Sequence, residues 1–192
     1  MTLCNDTINQ NQWTKINKRN KKKNNNIKIK YYDNYGEKES KRNLIVNINN
    51  REYIYPPKAG TIIFTTDFTK VLLVLNNYNP YNMKWGLPKG HLDETDDSFE
   101  ECASRELMEE TGIKINISKK DKIIKINNTK YFIYVLDKDI INNLRPFDTN
   151  EIFRCEFKPI EYVPTLNLNK ESITVLTKKI KYCTNNAKVI CI

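Results

Sequence analysis

Residues 85–113 read WGLPKGHLDETDDSFEECASRELMEETGI, and this stretch predicts a loop followed by one well-bounded helix. Ser98 stands three residues before Glu101, as in a capping box, and Gly112 suits the position just after a helix. Apolar residues recur between them at intervals of three and four, namely Phe99, Cys102, Ala103 and Leu107. We therefore expect an amphipathic helix that begins at Ser98, ends at Gly112 and packs one face against a core.

The same helix carries three glutamates that its geometry brings close together. Glu106 lies three residues before Glu109 and four before Glu110, and such spacings place side chains on one patch of a helix. Three adjacent carboxylates repel one another unless a cation neutralises them, and oxygen ligands favour hard divalent cations such as Mg²⁺ or Mn²⁺. The cluster predicts a metal platform, although taken alone it also fits an ordinary solvated helix face.

With the loop before it, the helix resembles the Nudix box. That family has a glycine, five spacers, a glutamate, seven spacers, and then Arg-Glu, an aliphatic residue, any residue, Glu-Glu, any residue, Gly and an aliphatic residue. Gly90 matches the first glycine, and residues 105–113 match the whole second half. Counting back from Arg105 puts Asp97 in the place of the glutamate, with one extra residue in the loop. This departure leaves open whether Asp97 makes the ion pair with Arg105 that the family implies.

The resemblance implies a fold, a reaction and a role for each matching residue. The fold would be α+β, a Nudix α/β/α sandwich with a central mixed sheet. Glu106, Glu109 and Glu110 would ligate Mg²⁺ or Mn²⁺ together with the Gly90 carbonyl, and Arg105 would orient the acids. The bound metal would promote attack of water on a diphosphate linkage. Lys89 would meet a phosphate, where the alternative is a plain surface lysine in a turn.

A second resemblance concerns residues 150–157, NEIFRCEF, which are similar to the segment that follows the box in mRNA-decapping Nudix enzymes. There the glutamate is an auxiliary catalytic or metal-binding acid, so we nominate Glu151, with Glu156 and Glu161 as substitutes. Trp85 and Tyr81 are candidates to contact the substrate base, although such aromatic residues are more often half-buried in a sheet. Other tyrosines offered for stacking are Tyr31, Tyr32, Tyr35, Tyr53, Tyr55 and Tyr78.

The rest of the chain predicts a sheet and a second helix. We expect strands at 61–65 and 71–75, joined as a hairpin, and further strands at 122–126, 131–136 and 152–157. A helix is predicted over 170–181. Residues 1–50 form a basic segment rich in Asn and Lys, in which only 27–32 and 44–48 suit strands. We divide the chain into this segment and a Nudix domain over 51–192.

Charge and cysteine content restrict the partners. Of the net charge of +9, residues 1–50 supply most, with eleven basic and four acidic residues that include Lys15, Lys18, Arg19 and Lys21 to Lys23. Such a segment attracts a polyanion such as RNA, or it is simply a solvated leader.

The five cysteines form no C-x-x-C pair and the chain has one histidine, which argues against zinc and for a reducing compartment. With no signal peptide or membrane span in the sequence, we expect a cytoplasmic protein without a membrane partner, in the host cytoplasm if it is viral.

These observations favour hydrolysis of the mRNA 5′ cap, releasing methylated GDP and 5′-monophosphate RNA. The alternative is a dinucleoside polyphosphate or diphosphoinositol polyphosphate hydrolase, because Pro-Lys-Gly-His at 88–91 resembles those enzymes as well. A third reading, a catalytically silent module that only binds RNA, predicts a degraded acid cluster, whereas this cluster is intact. Length, composition and motif leave the oligomeric state open.

Overall fold

The computed structural model describes residues 28–31, 44–48, 51–77, 81–136 and 144–190, with side chains from residue 55 onward. Two parts of the sequence-based predictions lie outside these residues. They are the basic residues from Lys15 to Lys23 and the tyrosines Tyr32, Tyr35 and Tyr78. Strands are numbered β1 (Lys28–Tyr31), β2 (Leu44–Ile48), β3 (Arg51–Tyr55), β4 (Lys58–Thr65), β5 (Lys70–Asn76), β6 (Trp85–Gly86), β7 (Lys89–His91), β8 (Ile123–Ile126), β9 (Thr129–Leu136), β10 (Ile152–Pro159) and β11 (Lys188–Ile190).

Within the described part of the chain, eight of these strands form one mixed sheet. Its main order is β10-β5-β4-β9-β11, while β6 pairs with β5, β7 with β4 and β8 with β9. β4 runs parallel to β9 and antiparallel to β5, so the sheet is mixed as the sequence predicts. The predicted hairpin is confirmed, because Phe64 of β4 pairs with Val71 of β5. Its turn is fixed by Asp67, whose Oδ1 accepts hydrogen bonds from the Thr65 hydroxyl at 2.6 Å and the Thr69 amide at 3.1 Å.

Alternate residues of β4 face the two sides of the sheet, and each side is covered by helices. Ile62 and Phe64 pack with Val163, Val175 and Leu176 from the C-terminal part of the chain. Ala59 and Ile63 pack on the other side with the apolar stripe of the box helix, which consists of Phe99, Cys102, Ala103 and Leu107. The layers of helix, mixed sheet and helix confirm the predicted α+β sandwich.

The box helix, α1 (Phe99–Thr111), begins and ends where the sequence predicts. The Ser98 hydroxyl accepts a hydrogen bond from the Glu101 amide at 3.2 Å. Gly112 has φ of 78° and donates its amide to the Met108 carbonyl, as expected of a glycine that ends a helix. These caps fix the axial position of α1, and therefore the height at which its glutamates meet the loop.

The second predicted helix forms, but it is longer than residues 170–181 and is not uniform. It consists of α2 (Lys170–Ile173), a π-helical turn over Thr174–Lys179, and α3 (Ile180–Asn186). A short 3-10 helix, Ile160–Thr165, precedes it. The Asn169 side chain caps α2 by accepting from the Ser172 amide at 2.9 Å. Among these residues no helix combines the length and apolar character needed to cross a membrane.

A separate sheet in the described residues consists of β1, β2 and β3 in that order. The predicted strands at 27–32 and 44–48 correspond to β1 and β2. β2 pairs with β3 on the far side of residue 50, with Leu44 opposite Tyr55. The division of the chain into 1–50 and 51–192 stays a prediction.

Candidate active site

The loop and the helix of the motif meet at Gly90 and Glu106. Gly90 lies on β7 opposite Ala59 of β4, and both residues face α1. A methyl group on Gly90 would overlap the carboxylate of Glu106. Glycine is therefore required here by space, since a larger residue would push the carboxylate away from the loop. The contact explains physically why a glycine and a glutamate sixteen positions apart occur together in the motif.

Glu110 lies deepest in the site. Its side chain is almost fully buried, and its Oε2 accepts a hydrogen bond from the Lys89 amide at 2.9 Å. Burial raises the pKa of Glu110 well above its usual value, and the nearby charge of Glu106 raises it further. The site thus holds this carboxylate in place by one amide while leaving its charge poorly compensated.

The pKa of Glu106 is also raised, and one of the charges that raise it belongs to Glu151. Burial raises the pKa of Glu106 to about 7 against the lowering effect of Arg105. The charges of Glu109 and Glu151 raise it too, and Glu151 likewise raises the pKa of Glu110. Glu151 is exposed in the turn just before β10, and its carbonyl accepts from the Asn77 amide at 2.7 Å. A residue far outside the motif therefore contributes charge to the same site.

Arg105 joins the acids to the loop. Its guanidinium donates to Glu106 at 2.8 Å, to Glu109 at 2.9 Å and to the His91 carbonyl at 3.1 Å. It also makes two hydrogen bonds to Asp96, 3.1 Å from Nε and 2.8 Å from Nη2. Because these bonds and charges favour its protonated form, the pKa of Arg105 is raised. Arg105 thus orients Glu106 and Glu109.

The partner of Arg105 corrects the family-based expectation for Asp97. Asp96 is the carboxylate that pairs with Arg105, and only 2% of it is exposed. Asp97 is exposed instead, and its amide donates to the Glu101 carboxylate at 2.8 Å. Counting five spacers forward from Gly90 reaches Asp96, whereas counting back from Arg105 reaches Asp97. The extra residue therefore lies between Asp96 and Arg105, and the forward count was the signal that sequence reasoning missed.

The acids fit a hard divalent cation by the chemistry of their donor atoms. Across residues 55–77, 81–136 and 144–190, no three side chains of His, Cys, Asp or Glu form a ready-made set of metal ligands. Arg105 lies between Glu106 and Glu109. The donors are nevertheless all oxygens, the carboxylates of Glu106 and Glu110 are largely buried with raised pKa values, and the absence of a side chain at Gly90 lets the Glu106 carboxylate approach the loop. This donor set suits Mg²⁺ or Mn²⁺ and does not suit zinc.

Basic groups lie on the other face of the β4–β7 pair. Lys89 and His91 alternate with Gly90, and Lys58 lies opposite His91. The Lys89 ammonium is 3.9 Å from the Glu171 carboxylate. Burial lowers the pKa of Lys58, and Lys89 lowers it further. Sequence reasoning named Lys89 and missed Lys58 and Glu171, because neither belongs to a motif and only strand pairing brings them together.

The other nominated residues are two aromatic residues and two further acids. Trp85 packs against the core on the face opposite α1, with the Lys158 ammonium 4.4 Å from its ring centroid. Tyr81 is 98% exposed. Glu156 is paired with Arg154 and Lys158, and although burial alone raises its pKa, these partners lower it below its usual value. Glu161 is exposed on the 3-10 helix. Among the acids proposed from outside the box, Glu151 carries a charge that acts on both Glu106 and Glu110.

Comparisons with known proteins concern the family and the fold. The NUDIX domain model matches residues 55–178. "Putative hydrolase 111R" of Invertebrate iridescent virus 3 is 31% identical over 142 residues, which are 74% of this chain and 78% of that protein. Among solved structures, a C. elegans Ap4A hydrolase aligns with a TM-score of 0.50 at 20% identity, covering 67% of this chain and 98% of that one. The NUDIX domain of Shewanella oneidensis NrtR, solved with ADP ribose, also has a TM-score of 0.50 at 20% identity, covering 65% and 86%. At such identities the structures show a shared fold.

Proposed function

The chain belongs to the Nudix hydrolase family, and from that premise we propose that it hydrolyses the diphosphate linkage of the mRNA 5′ cap. The products would be methylated GDP and RNA with a 5′ monophosphate. The observation that carries a hydrolytic role is the intact acid set, in which Glu106 lies against Gly90 and Glu110 is held by the Lys89 amide. A module that only binds RNA would have no need of buried carboxylates that repel one another.

In this proposal Glu106, Glu109 and Glu110 hold Mg²⁺ or Mn²⁺, with the Gly90 carbonyl as a further ligand. When bound, the ion neutralises charge on the phosphate oxygens and lowers the pKa of the attacking water. Arg105 keeps Glu106 and Glu109 oriented from its anchor on Asp96. Without that anchor, the long arginine side chain would be free to leave the acids.

Two further residues of the chain act on the substrate in this proposal. Glu151 accepts the proton of the attacking water, because it is exposed and close enough to affect the pKa of both Glu106 and Glu110. The Lys89 ammonium binds a phosphate oxygen, since its amide already touches Glu110 and its side chain is only loosely paired with Glu171. Together they supply a proton acceptor whose charge acts on Glu106 and Glu110, and a positive charge that acts on Glu110.

The choice of capped RNA is supported by the charge of the N-terminal segment. An excess of basic residues over 1–50 suits a substrate whose phosphates extend well beyond the bond that is cut. We propose the cytoplasm, where capped transcripts are found, as the place of action. A dinucleoside polyphosphate remains the second candidate, because a pocket of about 650 Å³ beside the site is large enough for one nucleotide.

Competition between the two substrates tests this proposal. Purified full-length protein with Mg²⁺ or Mn²⁺ is given cap-labelled RNA together with diadenosine tetraphosphate. The variant K21Q/K22Q/K23Q should raise KM for long capped RNA severalfold, because each lost phosphate contact weakens binding and its salt dependence. The matched control K119Q/K120Q/K122Q removes three exposed lysines from a turn and should leave KM unchanged. Preference for the dinucleotide, with no response to the first variant, would overturn decapping in favour of the second candidate.

A further inference from the structure

A pocket of about 650 Å³ opens on the face of the β4–β7 pair that turns away from α1. Its walls come from four places that are distant in sequence: the start of β4, the end of β7, the turn between β8 and β9, and the start of α2. The polar residues among them include Tyr55, Lys58, His91, Asn127, Asn128 and Lys170. Its volume suits a nucleotide-sized ligand.

The charges in this pocket favour an anion. Lys58 is half-buried, and within the described residues no carboxylate lies at ion-pair distance from its ammonium or from that of Lys170. One carboxylate, Glu171, lines the pocket, but it already accepts from the Tyr131 hydroxyl at 3.0 Å and the Thr129 hydroxyl at 3.1 Å. The pocket therefore offers unpaired positive charge beside an acid that has its own donors.

The pocket adjoins the candidate active site. His91 immediately follows Gly90, so consecutive residues of one short strand contact the acids on one face and the pocket on the other. In the described residues β7 pairs with β4 alone, which leaves its second edge uncovered by a strand. The charges of Glu106 and Glu110 act on Lys58 as well, so the two sites share an electrostatic field. A ligand of several phosphates is long enough to cross this edge.

We infer that this pocket is a second phosphate subsite, in which Lys58, Lys170 and the His91 imidazole bind a phosphate of the substrate outside the bond that is cut. The inference rests on the proposed function for the identity of the substrate, but not for the binding of phosphate itself. The phosphate comes either from the RNA backbone or from the far end of a dinucleoside polyphosphate. Asn127 and Asn128 line the same wall, and their side-chain amides donate to the Glu171 carboxylate and to the Tyr55 carbonyl.

Phosphate binding can be measured without turnover because His91 is the one histidine in the chain. With EDTA present and pH and ionic strength held constant, inorganic phosphate is titrated while the carbon-bound imidazole protons of His91 are followed by NMR. We expect a saturable shift, with Kd raised about tenfold in Lys58→Gln and Lys170→Gln, since each loses a charge-assisted contact. The control Lys178→Gln, an exposed lysine further along the helical segment, should keep the wild-type Kd. Absence of a saturable shift, or equal shifts in all variants, overturns the subsite.

Steady-state kinetics with metal then identify the source of the phosphate. If Lys58→Gln and Lys170→Gln raise KM for long capped RNA and leave diadenosine tetraphosphate unaffected, the phosphate belongs to the RNA backbone. If KM rises for both substrates, it belongs to the polyphosphate chain. An unchanged KM for both overturns the role in substrate binding. If the wild-type protein cleaves neither substrate, the proposed function fails while the NMR titration still decides whether the pocket binds phosphate.

Discussion

The two faces of the β4–β7 pair carry opposite charge and compensate it differently. On the face toward α1, the acids have defined donors, because Arg105 bonds to Glu106 and Glu109 and the Lys89 amide bonds to Glu110. On the other face, Lys58 has no acidic partner at ion-pair distance within the described residues. The difference indicates that the acids are preorganised before any ligand arrives, whereas the basic pocket acquires its counter-charge with the ligand.

The largest effect should come from removing one charge on the acid face. In Glu110→Gln the new amide oxygen can still accept from the Lys89 amide, but the carboxylate that would hold the metal is lost. We expect turnover to fall by about a thousandfold or more, and the midpoint of urea unfolding to be unchanged or higher. The reason for the second result is that a buried carboxylate with a raised pKa costs stability when it is ionised.

A matched control for that variant lies on the same helix. Glu100→Gln changes a carboxylate in the first turn of α1, away from Gly90, and should keep near wild-type turnover. Cleavage of the substrate by Glu110→Gln at a rate close to wild type would contradict the metal assignment. Equal losses in both variants would point to a general effect of charge and not to a specific ligand.

The second largest effect concerns the anchor of Arg105. Asp96→Asn should lower the free energy of unfolding by about 2–4 kcal/mol, because it leaves Arg105 without the charge of its most buried partner. Asp97→Asn is the control, and we expect a change below about 0.5 kcal/mol at that exposed position. Urea denaturation of both variants measures the difference. A larger loss of unfolding free energy in Asp97→Asn than in Asp96→Asn would show that Asp97, the residue found by counting back from Arg105, is the partner of Arg105.

The choice between Asp96 and Asp97 illustrates which features can be predicted from the sequence. Local signals predicted α1 with both caps and the β4–β5 hairpin, because capping and alternation depend on residues near in sequence. The motif predicted that Glu106, Glu110 and Arg105 lie together. A single inserted residue made the count from Gly90 disagree with the count from Arg105, and only the packed structure shows that Asp96 is the buried partner.

The basic pocket shows where sequence reasoning ends. Lys58 and His91 are opposed across two paired strands, and Lys170 joins them from the start of α2. No local pattern carries that information, because strand register and helix docking are set by the whole core. The short strands β6 and β7 and the terminal β11 were missed for a related reason, since two or three residues are too few to show alternation.

A smaller effect than the first two is expected from Glu151, which lies outside the motif helix. Glu151→Gln should reduce kcat by about a hundredfold with little change in KM, because a proton acceptor is lost while the groups that bind phosphate remain. Glu156→Gln is the control, since its carboxylate is paired with Arg154 and Lys158 and should not affect the rate. Similar rates in wild type and Glu151→Gln would remove this residue from the reaction and leave its charge as a modulator of Glu106.

The smallest effect comes from a charge pair away from both faces. Asp121 accepts from the Lys188 ammonium, the Tyr134 hydroxyl and the Ser118 amide at 2.7, 2.7 and 2.9 Å. Burial by itself raises the pKa of Asp121, but these donors outweigh burial and lower the pKa below its usual value. A lowered pKa in the folded state means that the ionised carboxylate contributes stability above the unfolded pKa. That contribution is lost as the pH falls through the folded pKa.

Lys188 is about half exposed, so solvent screens its interaction with Asp121. A double-mutant cycle with Asp121→Asn and Lys188→Met should therefore give a coupling energy of about 0.5–1 kcal/mol at neutral pH. The coupling should disappear when urea denaturation is repeated at a pH well below the usual pKa of an aspartate, where the carboxylate is protonated. A coupling that persists undiminished at that pH would show that packing, and not charge, joins β11 to the sheet. In that case the Asp121–Lys188 pair would differ from the two faces of the β4–β7 pair, where we expect charge to decide stability or function.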